Sequence, residues 1–257
     1  MEAIYAYFLK HYGWKICFPP APDQLLSMLQ TDGVQRCTAL AYTHKPGLSS
    51  SLNSWLYEFG RENSAVVPFG AVHPADSDLE QIVVECLDHY DFPGMKIHCL
   101  VQRCRPDDER LFPLFEAVVE RSKAVLMHAG SFPQPAENLG VIYVENLLRR
   151  FPTLKLIIPH LGLNELPAYA ELLSVYDGLH LDTAFVFQNI MVEIPLDVII
   201  DVIRLFPKRI FYGSDFPFIL EPPENGIARI KALDLSPEIL DLLFHRNYEV
   251  FLAGVGR

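Results

Sequence analysis

The sequence contains no His-x-His pair, no Cys-x-x-Cys pair and no apolar run approaching the ~20 residues that span a bilayer. Each absence excludes something. Without His-x-His, no single strand offers two imidazoles to one metal ion. Without paired spacing, the five cysteines (Cys17, Cys37, Cys86, Cys99 and Cys104) read as reduced thiols and not as a disulfide framework or a thiolate metal site. Positive charge is also scarce: 21 Lys and Arg stand against 32 Asp and Glu, a formal net charge of -11. That balance argues against nucleic acid and anionic membrane as general partners. Met1 to Phe18 is apolar and aromatic but has no basic region ahead of it, so it does not read as a signal peptide. A cytoplasmic protein is the default expectation. There is no Ser/Gly linker, charge block or internal repeat, which predicts a single domain over residues 1–257.

What is present is a repeated pattern. Gly94-Met-Lys96-Ile-His98, Val125-Leu-Met-His128-Ala-Gly130, Leu156-Ile-Ile-Pro-His160-Leu-Gly162 and Ile210-Phe-Tyr-Gly-Ser-Asp215-Phe-Pro217 each run from apolar residues to a metal-capable side chain, mostly followed by Gly or Pro. A parallel barrel carries its chemistry at the C-terminal tips of its strands, and 257 residues is close to the typical length of such a fold. Strand-like runs alternate with amphipathic segments throughout. Strands are predicted at Arg36–Tyr42, Val66–Val72, Gly94–His98, Lys123–His128, Leu154–His160, Gly178–Asp182 and Arg209–Gly213, with helices between them. This is the signature of right-handed βαβ units around a parallel sheet. Helices at Glu2–His11 and Pro22–Gln30 precede the first strand. The expectation is an α/β fold, a TIM-like (β/α)8 barrel whose first strand is missing from this chain, leaving two unpaired edges to be covered.

Imidazole and carboxylate together suit a borderline divalent ion, Zn2+ first among them. His128, His160 and Asp215 are the expected metal ligands. Three protein ligands and a water is the open arrangement of a catalytic zinc, and Asp215 is the natural base for that water. His160 and Asp215 are the expected catalytic pair. Lys96 is expected to bind a substrate carboxylate, or to be carbamylated. His98 and His73 are expected substrate contacts. Each has a plainer alternative: a strand-end His is more often a hydrogen-bonded structural residue, Asp215 could cap a helix, and Lys96 could pair with an acid. His11, His89, His180 and Glu193 carry no spacing argument and read as surface or core.

With Leu-Asp182-Thr and the closing Asn247-Tyr248 and Phe251-Leu252, these motifs resemble the amidohydrolase-2 branch of the amidohydrolase superfamily, which includes aminocarboxymuconate-semialdehyde decarboxylase-like enzymes. The resemblance runs from about Gly33 onward. It implies a distorted TIM barrel with one divalent metal, usually zinc, held by an Asp-x-His-x-His pair on strand one, two further His and a late Asp. The last three correspond to His128, His160 and Asp215. The first pair has no counterpart, so metal is expected to be weakly bound or absent. The implied activity is metal-dependent hydrolysis of a small carboxylate- or carbonyl-bearing molecule. Alternatives are decarboxylation at the same site, an inactive metal-free barrel acting as a binding module, and a TatD-like nuclease, which the acidic balance disfavours. A homodimer is compatible with the uncovered edges.

Overall fold

A computed structural model describes residues 2–130, 136–188 and 194–256. Helices α1 (Glu2–Tyr12) and α2 (Pro22–Thr31) precede β1 (Cys37–Leu40). The chain then alternates: α3 (Ser49–Glu62), β2 (Val66–Ala71), α4 (Leu79–Val84), β3 (Gly94–His98), α5 (Cys99–Gln102), α6 (Phe112–Glu120), β4 (Ala124–His128), α7 (Val141–Arg150), β5 (Lys155–Ile158) and α8 (Leu166–Val175). It ends with β6 (Leu179–Asp182), α9 (Leu196–Leu205), β7 (Ile210–Phe211), α10 (Pro223–Lys231), α11 (Pro237–Asp241) and α12 (Asn247–Gly254). Among the described residues the strands form one parallel sheet in the order β1 to β7. All seven predicted strands are present, each trimmed by at most three residues at either end. No helix among the described residues is long and apolar enough to cross a membrane. Glu193, expected at the surface or in the core, lies outside the described residues.

Side-chain alternation divides the sheet into two faces. Met95, Ile97, Val125, Met127, Leu156, Ile158, Leu179, Leu181 and Ile210 face the helices and join the larger core cluster. The alternate residues face inward, as the curl of a barrel requires. Val67, Phe69, Ala124, Leu126, Ile157 and Phe211 form a second apolar cluster with Phe251, Leu252 and Val255 of α12. Continuing up the same inward rows come Lys96 and His98 on β3, His128 on β4 and Asp182 on β6. The interior column is therefore mostly apolar at the N-terminal ends of the strands, where His180 and Lys155 are the exceptions, and polar at their C-terminal ends.

β1 and β7 each pair on one side only among the described residues. The seam between them is bridged by α12. Tyr248 bonds its hydroxyl to Thr38 of β1, and its ring meets Phe211 of β7 at 5.6 Å. Arg36 forms an ion pair with Glu249 at 2.9 Å. At the opposite end of the barrel, α1 and the following turn lie over the C-terminal tips, with Tyr5, Phe8, Tyr12, Trp14 and Phe18 half-buried. Helix α10 is the one sizeable helix that sequence pattern did not suggest, because Pro222-Pro-Glu-Asn-Gly226 reads as a turn.

Candidate active site

The register of β3 and β4 pairs His98 with His128 directly. Both point inward, and their rings stack at 4.1 Å with 19° between planes. β5 ends at Ile158, and after Pro159 the chain turns sharply and delivers His160 to the same place. His128 Nδ1 and His160 Nε2 lie 3.1 Å apart. His160 Nδ1 is 2.9 Å from the Ala184 carbonyl, which can only accept, so this nitrogen carries the proton and Nε2 accepts from His128. That assignment leaves His128 Nε2 as a bare lone pair, buried and, among the described residues, without a hydrogen-bond partner; the buried His98 Nδ1 also has no partner among them.

The turn that carries His160 is strained. His160, Leu161 and Leu163 have φ of 61°, 52° and 54°, in the left-handed region that non-glycine residues occupy at a cost. Phe185 (φ 67°) and Asp215 (φ 63°) share this property nearby, so five of the eight such residues described surround one cluster. Gly162 (φ 73°) completes the turn, and a Cβ there would sit 2.0 Å from the Tyr169 ring. Asp182 organises the turn: its Oδ1 accepts from the His160 N–H at 3.1 Å and from the Ala184 N–H at 2.9 Å.

The charges here are poorly compensated. Lys96 is buried and, among the described residues, forms no ion pair within 4 Å; burial lowers its pKa to about 8, against the pull of Asp215 and Asp182. Asp215 is pushed up to about 7 by burial, which outweighs the attraction of Lys96, and the nearby Asp182 adds to the rise. Asp182 is raised to about 6 by burial, partly offset by the Ala184 and His160 N–H groups. Burial also lowers His160 to about 4. It holds His98 and His128 well below the ordinary range as well, with Lys96 and the neighbouring rings adding to the effect. At neutral pH the site thus holds three neutral imidazoles, the Lys96 ammonium, a largely ionised Asp182 and the Asp215 carboxyl group near its midpoint.

Some of the expected residues meet here. Lys96, His98, His128 and His160 line one inward column, and Asp215 lies within electrostatic reach of Lys96. His73 does not join them: its Nδ1 accepts from the Ala75 N–H at 3.1 Å, and the charges it feels are Asp76, Arg110 and His44. The adjoining Asp76 ties two loops together by accepting from the His73 N–H (2.8 Å), the Gly47 N–H (2.7 Å) and the Ser49 hydroxyl. Sequence reasoning missed Gln102. It is buried at the end of α5, accepts from the His98 N–H at 3.0 Å and donates to the Val72 carbonyl at 2.7 Å and the Thr43 carbonyl at 3.1 Å. An isolated Gln four residues past a strand tip carries no spacing signal. Asp182 was noticed only as part of a motif, and its anchoring role is visible only in three dimensions.

The three-ligand metal centre expected from sequence is not assembled. Among the described residues, no three His, Cys, Asp or Glu side chains are grouped so as to hold a metal ion. His128 and His160 instead spend their facing nitrogens on one another. Two imidazoles are a fragment of a site, one short of the three protein ligands that open catalytic zinc sites use. The residues present therefore do not by themselves fit a resident metal.

The amidohydrolase family profile matches residues 48–249. No curated protein is recognisably similar in sequence. Solved structures share the fold. An uncharacterized TIM-barrel protein from Bordetella bronchiseptica superposes with a TM-score of 0.76 at 18% identity, over 100% of this chain and 92% of that one. A 5-carboxyvanillate decarboxylase from Novosphingobium aromaticivorans, complexed with manganese and 4-hydroxy-3-methoxy-5-nitrobenzoic acid, gives 0.70 at 15% identity over 98% and 92%. A 2,6-dihydroxybenzoate decarboxylase from Rhizobium gives 0.70 at 14% identity over 96% and 92%. The profile match covers most of the chain, and the protein belongs to the amidohydrolase family.

Proposed function

From that membership and the site just described, we propose that the protein is a decarboxylase of small aromatic carboxylic acids. One observation carries the proposal: a buried ammonium (Lys96) with no ion pair among the described residues stands within electrostatic reach of a carboxyl group raised to about 7 (Asp215), in a mouth rimmed by aromatic rings. Lys96 supplies the charge that attracts the substrate carboxylate out of water. Asp215 is substantially protonated near neutral pH and serves as the general acid. Its proton passes to the ring carbon bearing the carboxylate. The bond to that carboxylate then breaks, carbon dioxide leaves, and the electron pair restores the aromatic ring. Water reprotonates Asp215. His160, fixed by the Ala184 carbonyl, orients the substrate through its neighbour His128. The aromatic acids handled by the structurally similar decarboxylases support this assignment.

Hydrolysis, the reaction favoured by sequence alone, would draw on the same groups but needs an activated water. The test separates the two. Purified protein is incubated with 2,6-dihydroxybenzoate and 5-carboxyvanillate, with and without added Mn2+ or Zn2+, and carbon dioxide is measured. The expected result is carbon dioxide release that Asp215→Asn lowers by about 10²–10⁴-fold, the usual worth of a positioned general acid. No release from either acid under any metal condition would sink the proposal.

A further inference from the structure

Residues 2–19 lie across the mouth and touch it through rings. Tyr5 and Phe8 of α1 meet Phe218, three residues beyond Asp215, at 6.3 Å and 5.4 Å. Phe18 meets Phe216, next to Asp215, at 4.8 Å. Trp14 stacks at 5.4 Å on Phe185, whose ring meets His160 edge-on at 6.2 Å. On the remaining side stands Tyr42, 4.6 Å from His98. Burial pushes its hydroxyl up to about 12, and Asp215, Tyr12 and Tyr7 are near enough to add to the rise. The segment thus spans the loops after β1, β6 and β7. Beneath it Lys96, His128 and His160 keep 7%, 8% and 8% exposure.

This segment is fastened to itself. Gly13 (φ 69°) ends α1 in the left-handed conformation and doubles the chain back, so that the Trp14 N–H donates to the Phe8 carbonyl at 3.3 Å. The Tyr5 hydroxyl donates to the Pro19 carbonyl at 3.2 Å, which ties the far end of the segment to α1. To the barrel it is fastened lightly. Trp14 apart, no residue from 2 to 19 forms a hydrogen bond or ion pair with the rest of the chain among the described residues, and none of their described side chains is fully buried. The first fully buried side chains are Leu25 and Leu26 of α2. Only Pro20 and Ala21 separate the last internal tie, at Pro19, from the start of α2 at Pro22. A self-tied body, a short connector and an anchored helix behind it are the parts of a hinged element. The ring contacts that hold it down are each worth a factor of a few to about tenfold in the closed-to-open ratio.

We propose that residues 2–19 are a hinged lid, closed in this structure, which swings off the mouth as one body about Pro20 and Ala21, and that solutes reach Lys96 and the imidazoles only while it is open. The lid governs access and is independent of which reaction the cluster performs.

The test follows acetylation of the Lys96 amine by a sulfonated N-hydroxysuccinimide acetate, with mass spectrometry reading the peptide that holds Lys96. The initial rate is compared with that of the exposed Lys45. In the unmodified protein Lys96 is expected to react far more slowly than Lys45. Phe8→Ala and Phe18→Ala each delete ring contacts and are expected to speed Lys96 labelling about tenfold, with the urea midpoint of the barrel unchanged. Leu9→Ala, at a side chain 52% exposed, is expected to leave the rate as it was. Labelling is also expected to respond weakly to low urea, because lid opening exposes little surface and unfolding exposes the whole core. Four results overturn the lid: Lys96 reacting as fast as Lys45 in the unmodified protein, an unchanged Lys96 rate in both ring variants, an equal rise in Leu9→Ala, or a urea dependence as steep as that of global unfolding.

Discussion

The two ends of the sheet interior share the same strands and are built on opposite rules. At the N-terminal end, inward side chains are mostly apolar, with the His180 ring stacked among them, and the helix α12 plugs them: Phe211 meets Phe251 at 5.2 Å, and the Lys155 ammonium donates to the Ser122 and Gly254 carbonyls. At the C-terminal end, the same rows carry Lys96, His98, His128 and Asp182, on or beside strained backbone, with buried nitrogens left unpaired. One end is arranged for stability, and the other tolerates desolvated charge and conformational cost in return for chemistry. The lesson is that a barrel interior is a gradient, and that burial means different things along it.

The comparison can be broken at either end. The largest effect is expected at the floor. Phe69→Ala removes a fully buried ring from the inner cluster and is expected to cost about 3–5 kcal/mol, read from urea unfolding, with binding at the mouth little changed. At the mouth, Gly162→Ala places a Cβ 2.0 Å from the Tyr169 ring at a φ of 73°. It is expected to destabilise by about 2–4 kcal/mol and, unlike the floor variant, to reduce activity by displacing His160. Lys96→Met should act with the opposite sign. Removing an unpaired buried charge is expected to stabilise the protein by about 1–2 kcal/mol while abolishing activity; a fall in melting temperature would mean that Lys96 is compensated after all.

The smallest effect is a pH slope. His180, stacked at 5.0 Å on Phe211 in the lower interior, is lowered to about 4 by burial, with Arg209 adding to the shift. Its folded pKa lies below the ordinary value of about 6.5. The unfolded chain therefore binds a proton between those values that the folded chain does not. Stability contributed by this group is complete above about pH 6.5 and is lost as pH falls toward about 4. Denaturant titrations across this range should show a shallower pH slope in His180→Phe, by up to one proton. An unchanged slope would place the titration elsewhere.

Much of the fold was legible in the sequence because β2 to β6 are covered on both faces, which leaves short apolar runs bounded by Gly and Pro. The site was legible in part. His98, His128 and His160 stood out as metal-capable side chains ending apolar runs, and the register of β3 and β4 brings the first two face to face. His73 has a similar strand-end context and yet belongs to a loop-fastening network, because the turn after β2 directs its ring toward the Ala75 backbone. Gln102 left no trace in sequence because its role is to bond three backbone groups from separate segments.

The sequence by itself determined the parallel alternating architecture, the acidic and linker-free character of the chain and which strand tips carry imidazole, lysine and carboxylate. These follow from local periodicity and turn chemistry, which act over a few residues. Only the tertiary structure decided that the two central imidazoles bond to each other, that Lys96 has no ion-pair partner among the described residues and that α1 spreads its rings over the mouth. Those outcomes depend on distances between segments up to two hundred residues apart in the chain, which the curl of the sheet sets and no local pattern encodes.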